Sequence, residues 1–205
     1  MAKIPESTIR RLSLYLRFLE AFDGEGARTV SSQALAERGG TTSAQVRKDL
    51  SLFGSFGKRG LGYSVPDLAV KLREILGIGV PRRVVVIGVG KIGMALVQYA
   101  GLAARGFTLE RAYDVDPQVV GRRVASIVVR HADELERDLR RDPVDVAIIA
   151  TPPGAAQETA NRVGPSVRGI LNFAPVTISA PEGVAVRHVN VELELEALGY
   201  ALRTG

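Results

Sequence analysis

The feature that most constrains this chain is a glycine-rich loop that directly follows a run of β-branched residues. The loop reads Gly88-Val89-Gly90-Lys91-Ile92-Gly93, and the run before it is Val84-Val85-Val86-Ile87. An uninterrupted apolar run of this kind is typical of a parallel strand that is buried on both faces. In such a loop the first glycine permits a tight turn, the second lets the backbone approach a pyrophosphate, and the third lets the next helix pack closely on the strand. The pattern predicts a strand–loop–helix unit whose helix N-terminus can hold the phosphates of a dinucleotide.

Strands and helices alternate after this loop. A helix is expected over 91–104, and strands are expected at 108–114, 125–129, 144–151, 169–174 and 184–189. Further helices are expected at 131–141, 154–163 and 191–202. This alternation indicates right-handed βαβ units and a parallel sheet. The predicted fold class is therefore an α/β Rossmann domain over residues 81–190, followed by a C-terminal helix within residues 191–205.

Further candidates for binding NADH or NAD⁺ lie where the expected strands end. Asp114 ends the second strand, 21 residues beyond Gly93, where a carboxylate can accept hydrogen bonds from an adenosine ribose. Its charge would repel a 2′-phosphate and favours NAD over NADP, although Arg122 and Arg123 follow closely and leave that preference open. The other candidates lie at carboxyl ends of strands, where such sheets bind ligands, or on the first helix; they are Val115, Asp116, Thr151, Pro152, Asn172, Phe173, Ala174, Pro175 and Tyr99.

The residues that nicotinamide-dependent catalysis requires are missing from the same region. An oxidoreductase needs a group that moves the substrate proton. The only histidines are His131 and His188, and Tyr99 is followed four residues later by Ala103 instead of a lysine. We therefore expect a sensor rather than an enzyme. A small NAD- or CoA-binding oxidoreductase or synthetase subunit remains the alternative, and a DNA-binding architectural protein with a Rossmann scaffold is a third possibility.

The N-terminal part of the chain carries most of the positive charge. Residues 1–80 contain 12 Lys+Arg and 8 Asp+Glu, whereas residues 81–205 contain 15 and 14, out of a net charge of +5. Helices are expected over 5–22, 31–39, 41–53 and 66–77, with a glycine-rich hairpin before the last of them. The stretch 77–81 is the expected domain boundary. An excess of basic residues in one domain favours a polyanionic partner.

The third of these helices has the residues of a DNA-reading helix. Val46, Leu50 and Phe53 are spaced to face inward, whereas polar and basic residues cluster near the N-terminus, which is the part of a recognition helix that meets base edges. The candidate DNA-binding residues are Ser32, Thr42, Ser43, Gln45, Arg47 and Lys48, with Lys58 and Arg59 at the hairpin tip. A small helical dimerisation domain with a solvated basic face is the alternative. The combination favours a winged helix-turn-helix domain over 1–80 that binds double-stranded DNA.

The chain as a whole resembles the Rex family of redox-sensing transcriptional repressors. The similarity is carried by Lys3-Ile4-Pro5, Tyr15-Leu16-Arg17, Val46-Arg47-Lys48-Asp49-Leu50-Ser51, Phe53-Gly54, Gly60-Leu61-Gly62-Tyr63, Gly88-Val89-Gly90 and Gly169-Ile170-Leu171-Asn172-Phe173-Ala174-Pro175. The resemblance implies a homodimer whose C-terminal helix is swapped onto the partner's Rossmann domain. It also implies binding to inverted-repeat operator DNA, with release when NADH binds.

The resemblance further maps a switch onto Arg17, Tyr99 and the residue that begins the last helix. Related proteins usually carry an aspartate at that last position, but this chain has Asn190, which can hydrogen-bond and lacks the charge for a salt bridge with Arg17. Leucines along the last helix give it an apolar face that suits a partner. Because no apolar run reaches the length of a signal peptide or a membrane span, we expect a cytoplasmic protein with no membrane partner. Cysteine is absent, which excludes disulfides and thiol chemistry.

Overall fold

The computed structural model describes residues 4–58 and 61–203. Arg59, one of the candidate DNA-binding residues, lies outside the described residues, as does the side chain of Lys58. The chain forms two compact units, Met1–Val80 and Pro81–Gly205. No helix within the described ranges is long and apolar enough to cross a membrane.

The first unit is a winged helix-turn-helix, as the sequence predicts. Its elements are α1 (Glu6–Gly24), β1 (Thr29–Val30), α2 (Ser32–Gly39), α3 (Ser43–Ser51), β2 (Gly57–Lys58), β3 (Gly62–Ser64) and α4 (Val65–Leu76). The three strands form a small antiparallel sheet in the order β1-β3-β2. Gly40 is left-handed (φ 57°) and closes α2, and Thr42 then caps α3, so the two helices are joined by a tight turn. Apolar residues at helical spacing on α1, such as Leu12, Leu16 and Leu19, are fully buried in the core of this unit.

The second unit is a Rossmann domain with a seven-stranded sheet. Its strands are β4 (Arg82–Ile87), β5 (Phe107–Asp114), β6 (Arg123–Val124), β7 (Ile127–His131), β8 (Val146–Ile149), β9 (Gly169–Asn172) and β10 (Ala185–His188). Its helices are α5 (Lys91–Gln98), α6 (Leu135–Arg141), α7 (Pro153–Val163) and α8 (Val191–Ala201). The strand order is β10-β9-β8-β4-β5-β7-β6, and every pairing is parallel except that of β6 with β7.

This strand order creates a crevice at the centre of the sheet. From β4 the chain moves outward through β5 to β7, and then returns to the opposite side of β4 to form β8. The connections therefore diverge at the carboxyl ends of β4 and β8, which is the topological switch point where such sheets bind their ligands. The strand residues Val84, Val85, Val86 and Ile87 are buried on both faces of the sheet.

Two elements differ from the sequence-based expectation. The helix after the glycine loop ends at Gln98 instead of 104, because the backbone becomes extended at Tyr99 (φ −80°, ψ 97°) and continues as a 3₁₀ helix over Ala100–Arg105. Gly101, a poor helix former, lies under the Tyr99 ring at this break. The strand expected at 125–129 begins two residues later, at Ile127, and is the second strand of a hairpin, since Ala125 takes a positive φ of 52° in the two-residue turn between β6 and β7.

We predict that Gly93→Ala strongly destabilises the second unit. A Cβ at position 93 would overlap the carbonyl oxygen of Gly88, and neither group is on a flexible side chain. The free energy of unfolding should fall by about 2 kcal/mol or more, as for an overpacked core. Denaturant unfolding of the purified variant measures this.

The matched control is Gly154→Ala, because a Cβ there would meet no described atom within 4 Å. Its free energy of unfolding should stay within about 0.5 kcal/mol of the wild type or rise slightly, since alanine is the better helix former. Equal stability of the two variants would contradict the packing argument.

Candidate functional site

Two of the three loop glycines are required by packing within the protein, and the third is not. Gly88 has a φ of 88°, and a Cβ there would lie 2.6 Å from the carbonyl oxygen of Ala150. Gly93 packs against Gly88 in the same way. A Cβ at Gly90, by contrast, would meet no described atom within 4 Å. The bare backbone of Gly90 therefore faces open space beside the N-terminus of α5, where a phosphate can approach the free N–H groups of the helix.

Asp114 ties the end of β5 to this loop. Its Oδ2 accepts a hydrogen bond from the backbone N–H of Val89 at 2.6 Å. Its Oδ1 accepts from the N–H groups of Val115 and Asp116 at 2.7 and 2.9 Å. A carboxylate has about four acceptor positions, so these three bonds leave capacity for a ribose hydroxyl at the same place.

A cleft of about 720 Å³ opens between the carboxyl ends of β4, β5 and β8. That volume is in the usual range for a small-molecule or cofactor site. The predicted residues that line it are Gly88, Gly90, Lys91, Ile92, Asp114, Val115, Asp116, Thr151 and Pro152. The hydroxyl of Thr151 is buried and has no hydrogen-bond partner among the described residues, so a polar group of a ligand could satisfy it.

Other predicted cofactor residues do not line this cleft. The side chain of Val89 is fully buried, and Gly93 lies behind the loop. Tyr99 is 60% exposed, beyond the end of α5. Asn172 is completely buried, where its Nδ2 donates to the carbonyl of Val176 at 2.8 Å and its Oδ1 accepts from the N–H of Ala174 at 3.0 Å. The segment 172–175 thus forms a turn after β9 that is held by the Asn172 amide.

One wall of the cleft is formed by α7 and was not predicted from the sequence. Ala155, Glu158, Thr159 and Arg162 line it, and their spacing of three and four residues places them on one helix face. This spacing, directly after the strand end at Thr151-Pro152, is the sequence signal from which the wall could have been predicted. Arg122 and Arg123, which had left the choice between NAD and NADP open, do not line the cleft.

Arg162 is fixed in that wall by α6. Its Nε and Nη2 each donate to the carboxylate of Glu136 at 2.7 Å, and Nη2 also donates to the carbonyl of Ala132 at 2.7 Å. The hydrogen bonds from Arg162 lower the pKa of Glu136 from 4.5 to about 2, against the opposing effect of burial. The pair thus joins α6 to α7, the helix that forms this wall of the cleft.

The candidate DNA-binding residues of the helices lie at the N-terminus of α2, at Ser32, and along α3, from its cap Thr42 to Lys48 in its last turn. Thr42 Oγ1 caps α3 by accepting from the N–H of Gln45 at 3.1 Å. The guanidinium of Arg47 donates to Ser32 Oγ at 2.9 Å, so these two predicted residues are in contact. Arg47 and Lys48 are exposed, whereas Ser43 is half-buried. Cationic side chains on an exposed helix face of a winged helix-turn-helix suit the major groove and its phosphates.

A buried carboxylate, Asp49, anchors α3 to α1. Its oxygens accept from Arg11 Nε and Nη2 at 2.6 and 2.7 Å, from the Tyr15 hydroxyl at 3.0 Å and from Gln45 Nε2 at 2.8 Å. Burial opposes ionisation of Asp49, but the hydrogen bonds from Arg11, Gln45 and Tyr15 outweigh burial and lower its pKa. Burial and the hydrogen bond to Asp49 raise the pKa of Tyr15 to about 12. Gln45 is predicted from the sequence to bind DNA, and its hydrogen bond with Asp49 was not predicted.

The remaining switch candidates are placed as follows. Arg17 is exposed on α1, and within residues 4–58 and 61–203 it forms no ion pair. Asn190 caps α8, since its Oδ1 accepts from the N–H groups of Glu192 and Leu193 at 2.9 and 3.3 Å. The apolar side chains of α8 are all more than half exposed; they are Val191, Leu193, Leu195, Leu198 and Tyr200.

These sites define a two-domain regulator, with a DNA-binding unit and a dinucleotide cleft in one chain. A family model described as "Putative DNA-binding protein N-terminus" matches residues 3–51, and one described as "CoA binding domain" matches residues 80–176. The redox-sensing transcriptional repressor Rex of Streptomyces coelicolor is 46% identical over 96% of this chain and 77% of its own length. Its counterpart in Syntrophobacter fumaroxidans is 42% identical over 100% of this chain and 98% of its own.

Solved structures of RSP, a Rex-family repressor, are also similar to this chain. A crystal structure of RSP in complex with NAD⁺ and operator DNA has a TM-score of 0.93 and 31% identity, and covers 100% of this chain and 94% of RSP. RSP in complex with NADH has a TM-score of 0.90 and 30% identity, with coverage of 100% and 96%. The chain belongs to the Rex family of redox-sensing transcriptional repressors.

We predict that Arg162→Met makes the protein less sensitive to acid. The depressed pKa of Glu136 contributes stability that is complete above about pH 4.5 and is lost as the pH falls towards 2. The variant lacks the hydrogen-bond donors that depress this pKa, so its unfolding free energy should change less than that of the wild type over this range. Denaturant unfolding at several pH values measures the difference, and parallel curves would contradict the assignment.

Proposed function

We propose that this protein is a transcriptional repressor that binds inverted-repeat operator DNA as a homodimer and releases it when NADH binds. It would thereby read the NADH/NAD⁺ ratio. DNA binding is assigned to residues 1–80, NAD(H) binding to 81–190 and dimerisation to 191–205. The observation that carries the proposal is that one chain joins an exposed basic recognition helix to a dinucleotide cleft whose central glycine, Gly90, faces open space.

The solved structures of RSP support a switch in which NADH, rather than NAD⁺, releases the DNA. The RSP structure that contains operator DNA holds NAD⁺, and a separate structure of the same protein holds NADH. A ligand shifts a conformational equilibrium only by its differential affinity for the two states. We therefore propose that NADH favours a domain arrangement with weak DNA affinity, while NAD⁺ is compatible with the DNA-bound one.

The cleft is suited to NAD(H) rather than NADP(H). Asp114 and Asp116 both line it, next to where the adenosine ribose would lie. A 2′-phosphate there would meet negative charge, and the nearby arginines 122 and 123 do not line the cleft to neutralise it. Thr151 would offer its unsatisfied hydroxyl, and Lys91 a positive charge, to the bound dinucleotide.

The exposed apolar residues of α8 support dimerisation through this helix. We propose that α8 docks on the Rossmann domain of a second copy, as a swapped helix. A closed twofold dimer would present two recognition helices to the two half-sites of an inverted repeat. We also propose a cytoplasmic location, because a regulator that meets both DNA and NAD(H) must share their compartment.

The switch would involve Arg17, Tyr99 and Asn190. Because Asn190 is uncharged and already caps α8, we propose that its contribution is a hydrogen bond and not a salt bridge with Arg17. The Tyr99 hydroxyl, which is on an exposed side chain, is the available partner for such a bond.

The function predicts how nucleotides change DNA binding. Fluorescence anisotropy of a labelled inverted-repeat duplex at fixed salt should show affinity falling by about tenfold or more with saturating NADH, within the usual range of allosteric coupling. NAD⁺ should have a smaller effect, and NADPH or CoA should have little. Salt is held constant because phosphate contacts alone shift affinity by orders of magnitude.

Two variants separate the sites in the same assay. Gly90→Val fits the fold (φ −66°, no described atom within 4 Å) but fills the phosphate approach, so DNA affinity should persist and the NADH response should vanish. Arg47→Ala should weaken DNA binding by about tenfold or more and leave NADH affinity unchanged. The same defect in both variants would contradict the assignment of DNA binding and NADH binding to separate units. If NADH does not change the DNA affinity of the wild type, the sensor function is contradicted.

The dimer prediction has its own test. Replacing Leu193 and Leu198 by aspartate should convert the protein to a monomer, because charges would be placed on the apolar face of α8. Light scattering after size-exclusion chromatography gives the mass directly. Glu196→Gln on the same helix is the control and should remain dimeric; a dimeric Leu193→Asp/Leu198→Asp variant would exclude α8 as the interface.

A further inference from the structure

A buried carboxylate determines which end of the Gln45 side-chain amide faces away from the protein. Gln45 Nε2 lies 2.8 Å from Asp49 Oδ1. The Asp49 side chain is only 2% exposed and is paired with Arg11. An ionised carboxylate has no hydrogen to donate. The amide nitrogen of Gln45, and not its oxygen, must therefore face Asp49.

The oxygen of Gln45 is consequently on the outer side. Within residues 4–58 and 61–203, the buried side-chain polar atoms without a partner are Arg111 Nε and Thr151 Oγ1. Gln45 Oε1 also has no hydrogen-bond partner in those ranges, and it is not among these buried atoms. It is therefore open to solvent in the first turn of α3, which is the part of a recognition helix that meets base edges.

We infer that Gln45 is a fixed hydrogen-bond acceptor that selects an amino base in the operator, and that Asp49 is the positioning residue that fixes it. In the major groove, adenine and cytosine present amino donors, whereas guanine and thymine present keto oxygens. An outward-facing amide oxygen accepts from the former and is repelled by the latter. The inference rests on the proposed DNA-binding function and adds the chemical class of the base that is read.

The chemistry of the Asp49 side chain makes this testable. In Asp49→Asn the side-chain amide can both donate and accept, so Gln45 is free to turn round and present its NH₂ group to the groove. Donors of that kind bind the keto oxygens of guanine and thymine. The variant should therefore lose the distinction between amino and keto bases, while a Gln45→Met variant should lose the contact itself.

The experiment is selection of bound duplexes from a random-sequence library by the full-length proteins, followed by sequencing. Wild type should prefer A or C over G or T by about tenfold at one position of one strand in each half-site. Gln45→Met and Asp49→Asn should both lose that preference at the same position and keep the preferences at the others. NADH binding and thermal unfolding verify that each variant is folded.

Tyr15→Phe is the matched control. It removes a 3.0 Å hydrogen bond from the same carboxylate but leaves the Gln45 contact in place, so the amino-base preference should remain. If Asp49→Asn does not fold, Gln45→Met alone tests the point, because it removes the acceptor without placing a second carboxylate beside Asp49.

Unchanged selection by Gln45→Met or Asp49→Asn, or loss of the preference in Tyr15→Phe, would each overturn the inference and leave DNA binding intact. A wild-type protein that selects no sequence at all would overturn the proposed function together with the inference.

Discussion

The close packing of the glycine loop against the neighbouring strand ends is the constraint on which the nucleotide cleft depends. Gly88 can lie against Ala150 only because it has no side chain, and Gly93 can pack on Gly88 for the same reason. Asp114 adds a 2.6 Å hydrogen bond from Val89. The carboxyl ends of β4, β5 and β8 are thus held together before any ligand arrives. A preformed site of this kind spares the ligand the cost of ordering it.

In the DNA-binding unit, the buried carboxylate of Asp49 is the interaction that fixes the position of the recognition helix. Asp49 accepts hydrogen bonds from two residues of α1 and one of α3, so the recognition helix cannot change its tilt against α1 without leaving a buried charge without its partners. The same contact sets the orientation of the Gln45 amide. Arg17, a candidate for the switch, is on the same helix as Arg11 and Tyr15, which hold Asp49.

Local sequence signals were sufficient for the fold and for the centre of the candidate site. The β-branched run and the glycine loop each act within a few residues, so their effects can be read from the sequence. What the sequence did not reveal depends on distant partners. Asp49 meets Arg11 38 residues away, and Arg162 meets Glu136 26 residues away. The helix break at Tyr99 and the turn at Ala125 were missed because tyrosine is compatible with a helix and alanine with a strand, yet Tyr99 is extended and Ala125 has a positive φ.

If the two units share one conformational equilibrium, binding of DNA and binding of NADH are thermodynamically linked. If NADH weakens operator binding, operator DNA must weaken NADH binding by the same factor. The measurement is the Kd of NADH, from its own fluorescence, with and without saturating operator duplex at one salt concentration. The duplex should raise the Kd of NADH by the factor by which NADH weakens DNA binding. An NADH Kd that is identical with and without the duplex would contradict it.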